Sequence, residues 1–154
     1  MESTRIRSLT RTVALVILAF APAFSVRAAA DANLWQTNYN QALAQAAKEN
    51  KQVLLDFTGS DWCPYCIQMD REVLSKSQFE NFASKNLVLV KLDYPQKKKL
   101  PPSEMQQNDQ LQQQYSIEGY PTYVLLNPRG KEVKRVVGYV DGGPSAFIKW
   151  IEGK

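Results

Sequence analysis

Across residues 31–154 the spacing of apolar positions changes repeatedly, and each change marks an element. Tyr39, Ala42, Leu43, Ala46 and Ala47 recur at three- and four-residue intervals, the stripe of an amphipathic helix, and Lys48-Glu49-Asn50-Lys51 ends it. Residues 53–57 are a short, nearly continuous apolar run, the pattern of a strand buried on both faces. Gly59-Ser60-Asp61 turns the chain, and Pro64 suits the first turn of a helix, where a missing N–H costs nothing. That helix is predicted to run to about Leu74. Ser77 and Glu80 have capping-box spacing, so a second short helix is expected there, with Phe79 and Phe82 inward. Residues 87–92 read as the next buried strand and 93–102 as a polar loop. Ser103 is placed as the cap of a Gln-rich helix reaching Tyr115, with Met105, Leu111 and Tyr115 on its apolar side. Residues 122–126 read as a strand, Asn127-Pro128-Arg129-Gly130 as a turn, and 131–137 as a more polar strand at an antiparallel edge. Phe147, Ile148 and Ile151 give a closing helix.

The first half therefore alternates as parallel βαβ units do, and the second half adds a hairpin. The expected fold class is α/β, a mixed central sheet flanked by helices, in one domain covering 31–154. Residues 1–30 read differently. Arg5, Arg7 and Arg11 form a basic start, 13–20 is an unbroken apolar run, and small residues follow to Ala28-Ala29-Ala30. That order is the pattern of a secretory signal peptide with an Ala-x-Ala cleavage site. Pro22, Ser25 and Arg27 interrupt the run before the roughly 20 apolar residues that a spanning helix needs, so cleavage is favoured over a retained anchor. No membrane span is expected after cleavage.

Charge sharpens this division. The whole chain carries 19 basic and 15 acidic residues, a net charge of +4. Residues 1–30 hold four Arg and one Glu, so 31–154 keeps 15 basic and 14 acidic residues, or +1. The basicity belongs to the leader and gives no case for a nucleic-acid partner. The chain has two Cys and no His. One chain thus cannot build a four-ligand structural zinc site, nor a Ser-His or Cys-His nucleophile pair. An exported protein that used disulfides as a framework would carry more Cys, spaced further apart. No cofactor is called for.

What remains is Trp62-Cys63-Pro64-Tyr65-Cys66, directly after a buried strand. A dithiol oxidoreductase needs a thiolate nucleophile and a second thiol that can close on it, and two intervening residues at a helix start provide both. Cys63 would sit at the helix N-terminus, where free N–H groups and the helix dipole favour an anion. Cys66 would lie one turn in, on the same side and less exposed. Cys63 attacks a disulfide, and Cys66 then attacks Cys63 and releases the reduced partner. An inert disulfide, or half of an intermolecular metal site, is the bland alternative.

Trp62-Cys63-Pro64-Tyr65-Cys66 after the strand, with Gly119-Tyr120-Pro121-Thr122 further on, resembles the thioredoxin superfamily. The similarity is to exported thioredoxin-like proteins and to the C-terminal domain of the membrane thiol–disulfide interchange protein. It implies a thioredoxin fold with an extra N-terminal helix, and a redox-active Cys63–Cys66 disulfide. It further implies a cis proline at Pro121 facing the Cys pair, with the Tyr120 backbone pairing with the substrate chain. Asp56 matches the buried Asp that helps deprotonate the inner Cys, and Lys91 the Lys that pairs with it. Trp62 matches the Trp that covers the thiol, and Gly138 the glycine of the substrate groove. Two departures concern preference. Tyr120 stands where thioredoxins carry Ile. Pro64-Tyr65 is a dipeptide of many glutaredoxins, a class whose potentials lie roughly 40–70 mV above thioredoxin's. Residues 95–108 are longer than the corresponding thioredoxin segment, and their Lys97-Lys98-Lys99 run reads first as a solvated loop.

The resemblance implies exchange with protein thiols or disulfides and, since this chain has no second redox centre, a membrane redox partner. Two other classes stand beside it: a peptide-binding module with an idle Cys pair, and copper(I) handling by two thiolates.

Overall fold

The computed structural model describes residues 34–154; the expected signal peptide at 1–30 lies outside the described residues. The chain runs through β1 (Trp35–Gln36), α1 (Tyr39–Glu49), β2 (Gln52–Thr58), α2 (Pro64–Met69), a π-helical turn (Asp70–Leu74), α3 (Ser77–Asn86), β3 (Leu87–Asp93), α4 (Pro102–Gln114), β4 (Thr122–Leu126), β5 (Glu132–Val137) and α5 (Gly143–Glu152). The strands form one five-stranded sheet in the order β1-β3-β2-β4-β5. β1 and β2 run parallel to β3, while β4 runs antiparallel to β2 and β5 to β4. This is the mixed α/β sheet that the pattern predicts. β5 alternates half-buried and exposed positions, as an edge strand does.

Strand alternation sorts the core into two layers. Val53, Leu55 and Phe57 of β2, with Val88, Val90 and Leu92 of β3, pack with Ala42 and Ala46 of α1 and Leu111 of α4. Leu54 and Leu89, with Tyr123 and Leu125 of β4, pack with Met69, Phe79 and Phe147 from α2, α3 and α5. Asp56 and Lys91 have the parity of the second layer and are partners across β2 and β3. Parity thus turns both toward the helix that carries the cysteines.

Several local expectations give way to tertiary structure. Two-residue β1 leaves no periodicity to read. The helix after Pro64 changes to π geometry at Asp70, where the Ser75 N–H bonds the Asp70 carbonyl at 2.9 Å, and the wider turn leaves Met69, Val73 and Leu74 all buried. Ser77 is the first helical residue and not the cap; Lys76 holds the cap position without a side-chain bond, so the capping box with Glu80 is not formed. Ser103 likewise lies inside α4, which starts at Pro102 after Pro101. Met105 is exposed, because the inward stripe of α4 runs through Asn108, Leu111 and Tyr115. Asn108 is buried because its side-chain amide donates to the Asp93 carbonyl at 3.0 Å. β3 also reaches one residue further than the apolar run, to a buried Asp93. No helix of the described residues is long and apolar enough to cross a membrane.

Candidate active site

The carboxyl end of β2 delivers the chain through Gly59-Ser60-Asp61-Trp62 into α2, whose cap is Cys63. Pro64 occupies the first turn. Cys63 and Cys66 are joined by a disulfide with Cα atoms 5.2 Å apart. The Cys66 N–H donates to Cys63 Sγ at 3.2 Å, and the Gly59 N–H to Cys66 Sγ at 3.5 Å. The outer sulfur therefore receives an N–H from the first turn of the helix, the arrangement that stabilises a thiolate after reduction. Exposure does not separate the two residues as expected: Cys63 is 4% and Cys66 3% exposed. Position separates them. Cys63 Sγ lies 3.7 Å from the Tyr120 carbonyl oxygen, whereas Cys66 borders a small cavity that it shares with Asp56.

Tyr120-Pro121 crosses in front of the pair through a cis peptide bond. The Pro121 carbonyl accepts the Gly138 N–H at 2.8 Å, which draws Gly138 to the same place. Gly138 has φ +88°, a conformation that favours glycine, and a Cβ there would meet nothing within 4 Å. Trp62 and Tyr65 are exposed, and Pro64 with them. The Trp62 ring stands edge-on to Tyr120, 5.9 Å between centroids. Trp62, Pro64, Tyr65, Tyr120 and Pro121 thus lie next to Cys63, and Gly138 is tied to Pro121.

The inner face is built around Asp56. It is 2% exposed, and its Oδ1 has no hydrogen-bond partner. A small cavity of about 90 Å³, lined among others by Asp56, Cys66, Asp70 and Lys91, joins it to the inner cysteine. Such a volume admits water. Burial pushes the Asp56 carboxyl up to about 7; the Lys91 charge opposes this, and Asp70 and Asp93 add to it. The expected Asp56–Lys91 ion pair is not formed. Lys91 Nζ instead lies 3.6 Å from Asp70 and 5.7 Å from the centre of the Trp35 ring. The exposed end of a Lys keeps its charge more cheaply in water than beside a buried carboxyl. Asp70 escaped the sequence reading, although its place one turn after Cys66 on the same helix face was a signal.

A second group not foreseen holds the loop before Cys63. The Asp61 carboxylate accepts the backbone N–H groups of Gln96, Lys97 and Lys98 at 2.9, 2.8 and 3.2 Å, which keep it below the usual carboxylate range. Asp93 accepts both the N–H and hydroxyl of Ser60, at 2.9 and 2.7 Å, and pairs with Lys98 at 2.8 Å. The Trp62 indole N–H donates to the Tyr94 carbonyl at 2.7 Å. Lys98 is therefore a local tie as well as a surface charge.

A reducible disulfide capping a helix, a proline loop across it and a buried carboxyl behind it define a thiol–disulfide oxidoreductase of thioredoxin fold. Residues 39–153 match the thioredoxin-like domain, and the chain belongs to that family. Over 126 residues it is 37% identical to the disulfide bond reductase DsbH of Chlamydia pneumoniae, covering 82% of this chain and 75% of that protein. A solved DsbH oxidoreductase superposes with a TM-score of 0.73 at 35% identity, covering 77% of this chain and 81% of the other. The thiol:disulfide interchange protein DsbD of Photorhabdus laumondii is 32% identical over 116 residues, 71% of this chain and only 18% of that protein.

Proposed function

We propose that this chain is an exported reductase of protein disulfides, with Cys63 attacking and Cys66 resolving. The observation that carries the reading is Cys63 at the cap of α2, its sulfur receiving the Cys66 N–H and open toward the Tyr120-Pro121 loop. In the reduced protein the Cys63 thiolate attacks one sulfur of the substrate disulfide and forms a mixed disulfide. The other substrate sulfur leaves as a thiolate. Cys66, deprotonated, attacks Cys63; the Cys63–Cys66 disulfide forms and the second substrate thiol is released. Asp56 takes the Cys66 proton through the cavity, and Lys91 with Asp70 sets its charge. Trp62, Pro64, Tyr65 and Gly138 bound the substrate contact, and the Tyr120 backbone beside Pro121 pairs with the substrate chain.

The basic, apolar and small-residue order of 1–30 supports export. The 37% identity to a protein named as a disulfide bond reductase supports the reducing direction. The chain's only two Cys form this one redox centre, so in an oxidising compartment it draws electrons from a membrane donor.

The test uses protein reduced with dithiothreitol, freed of excess reagent and mixed with oxidised insulin. C63S abolishes insulin reduction, and C66S accumulates a mixed disulfide visible on non-reducing gels. The reduction potential lies between about −270 and −200 mV; a value near about −120 mV, that of a strong oxidant, overturns the reducing direction.

A further inference from the structure

Beside the cysteine site lies a cavity of about 600 Å³ between the 95–101 loop and α4. Its apolar lining comes from Tyr94, Pro95, Leu100, Pro102 and Met105. Lys98, Lys99, Asp93 and Asp109 stand in the same lining, two charges of each sign, so the cavity carries little net charge to recruit an ion. The volume falls within the roughly 300–1,000 Å³ of ligand pockets, which are lined mainly by apolar groups. Met105 is 52% exposed, left out of the core by the register of α4. A methionine in an open apolar recess can adapt to different side chains.

The recess adjoins the redox site through Tyr94. The Tyr94 ring, in its wall, lies 5.1 Å from the Tyr120 ring between centroids, and the Tyr120 carbonyl lies 3.7 Å from Cys63 Sγ. An extended chain advances about 3.3–3.6 Å per residue, so a segment bound at Cys63 reaches the recess within a few residues. The wall is also held in place. Asp61 gathers three consecutive N–H groups of the loop, and the Tyr94 hydroxyl donates to the Asn108 carbonyl of α4 at 2.6 Å. A recess built in advance costs little ordering when it is filled.

We propose that this recess is a specificity subsite that takes a large apolar side chain, aromatic or Leu-like, from the protein segment flanking the cysteine under attack. The occupant is a protein segment because the Tyr94 wall of the recess packs on Tyr120, whose carbonyl lies 3.7 Å from Cys63 Sγ, so a substrate chain bound at Cys63 passes close by. The proposal rests on the reductase reading and adds to it which disulfides are preferred.

The probes are two disulfide-bridged synthetic peptides, identical except for Phe or Ser at the positions two to four residues from the cysteine, together with bis(2-hydroxyethyl) disulfide. Reduced wild-type protein reduces the Phe peptide with kcat/KM about tenfold above the Ser peptide, the difference lying in KM. M105D and L100D each bring the ratio near one. V133D, on β5 and outside the recess, keeps the wild-type ratio. A ratio near one in the wild type, or an unchanged ratio in both recess variants, overturns the subsite. A wild-type protein that reduces none of the three disulfides overturns the reductase reading instead.

Discussion

Asp56 is the residue whose position most exceeds what its neighbours in sequence suggest. Its carboxyl is pushed up from 3.8 to about 7 by burial. Between those two values the folded state holds a proton that the unfolded chain releases. The stability from this group is whole below pH 4 and is lost as pH rises through 7. A change of this size corresponds to about 4 kcal/mol. D56N carries no such titration. Urea unfolding of the oxidised protein should therefore show D56N gaining on wild type by up to about 4 kcal/mol between pH 4 and pH 8.5; a constant difference would contradict a buried neutral carboxyl. The same substitution should slow decay of the mixed disulfide at pH 7 by about a hundredfold or more, the scale of a lost general base. Rapid-quench assays with a peptide disulfide measure this. The sequence indicated Asp56 as an acid inside an apolar strand and Lys91 opposite it. It did not indicate that Lys91 turns to Asp70, because that choice depends on how α2 lies over the sheet.

At the scale of elements, the β2–α2 connection governs the site. Gly59 starts it, and a Cβ built there would lie 2.5 Å from Trp62 Cε2. The indole has little freedom to yield, since its N–H is bound to the Tyr94 carbonyl. G59A should cost about 1–3 kcal/mol, the range of overpacking, and should shift Trp62 fluorescence as the ring moves. Unchanged emission and unchanged Tm would show that the loop relaxes freely. The connection was legible as a turn from Gly59-Ser60-Asp61. Its clamps were not, because Asp61 acts on residues 35 to 37 positions away and Asp93 on one 33 away. Helix starts failed as well. Ser77 and Ser103 have cap chemistry, but the helices begin at or before them, which puts Ser77 at the first and Ser103 at the second helical position.

Over the described residues, the sheet divides the interior into two layers, and Asp56 and Lys91 have the parity of the one shared with α2, α3 and α5. Phe147 of α5 is fully buried there, 5.0 Å from Tyr123, 5.3 Å from Trp150 and 5.7 Å from Phe79 between ring centroids. F147A should destabilise by about 3–5 kcal/mol, read as a lower midpoint in urea, and should leave the reduction potential unchanged because it touches neither sulfur nor Asp56. A shifted potential would show that this layer is coupled to the disulfide. The amino-acid sequence by itself determined the α/β class, the mixed sheet and the Cys-x-x-Cys chemistry. These follow from local periodicity, from the Cys spacing at a helix start, and from the absence of His, which removes a structural zinc site and Ser-His or Cys-His pairs. It also brought Asp56, Lys91 and Pro121 into consideration, through strand parity and resemblance. Only the tertiary structure decided which carboxylate Lys91 pairs with and that Cys63 and Cys66 are equally covered. It alone showed that Asp61 and Tyr94 fix an apolar recess next to Tyr120. Each of these depends on contacts between segments distant in the chain, whose geometry is set by packing and leaves no repeat in the sequence.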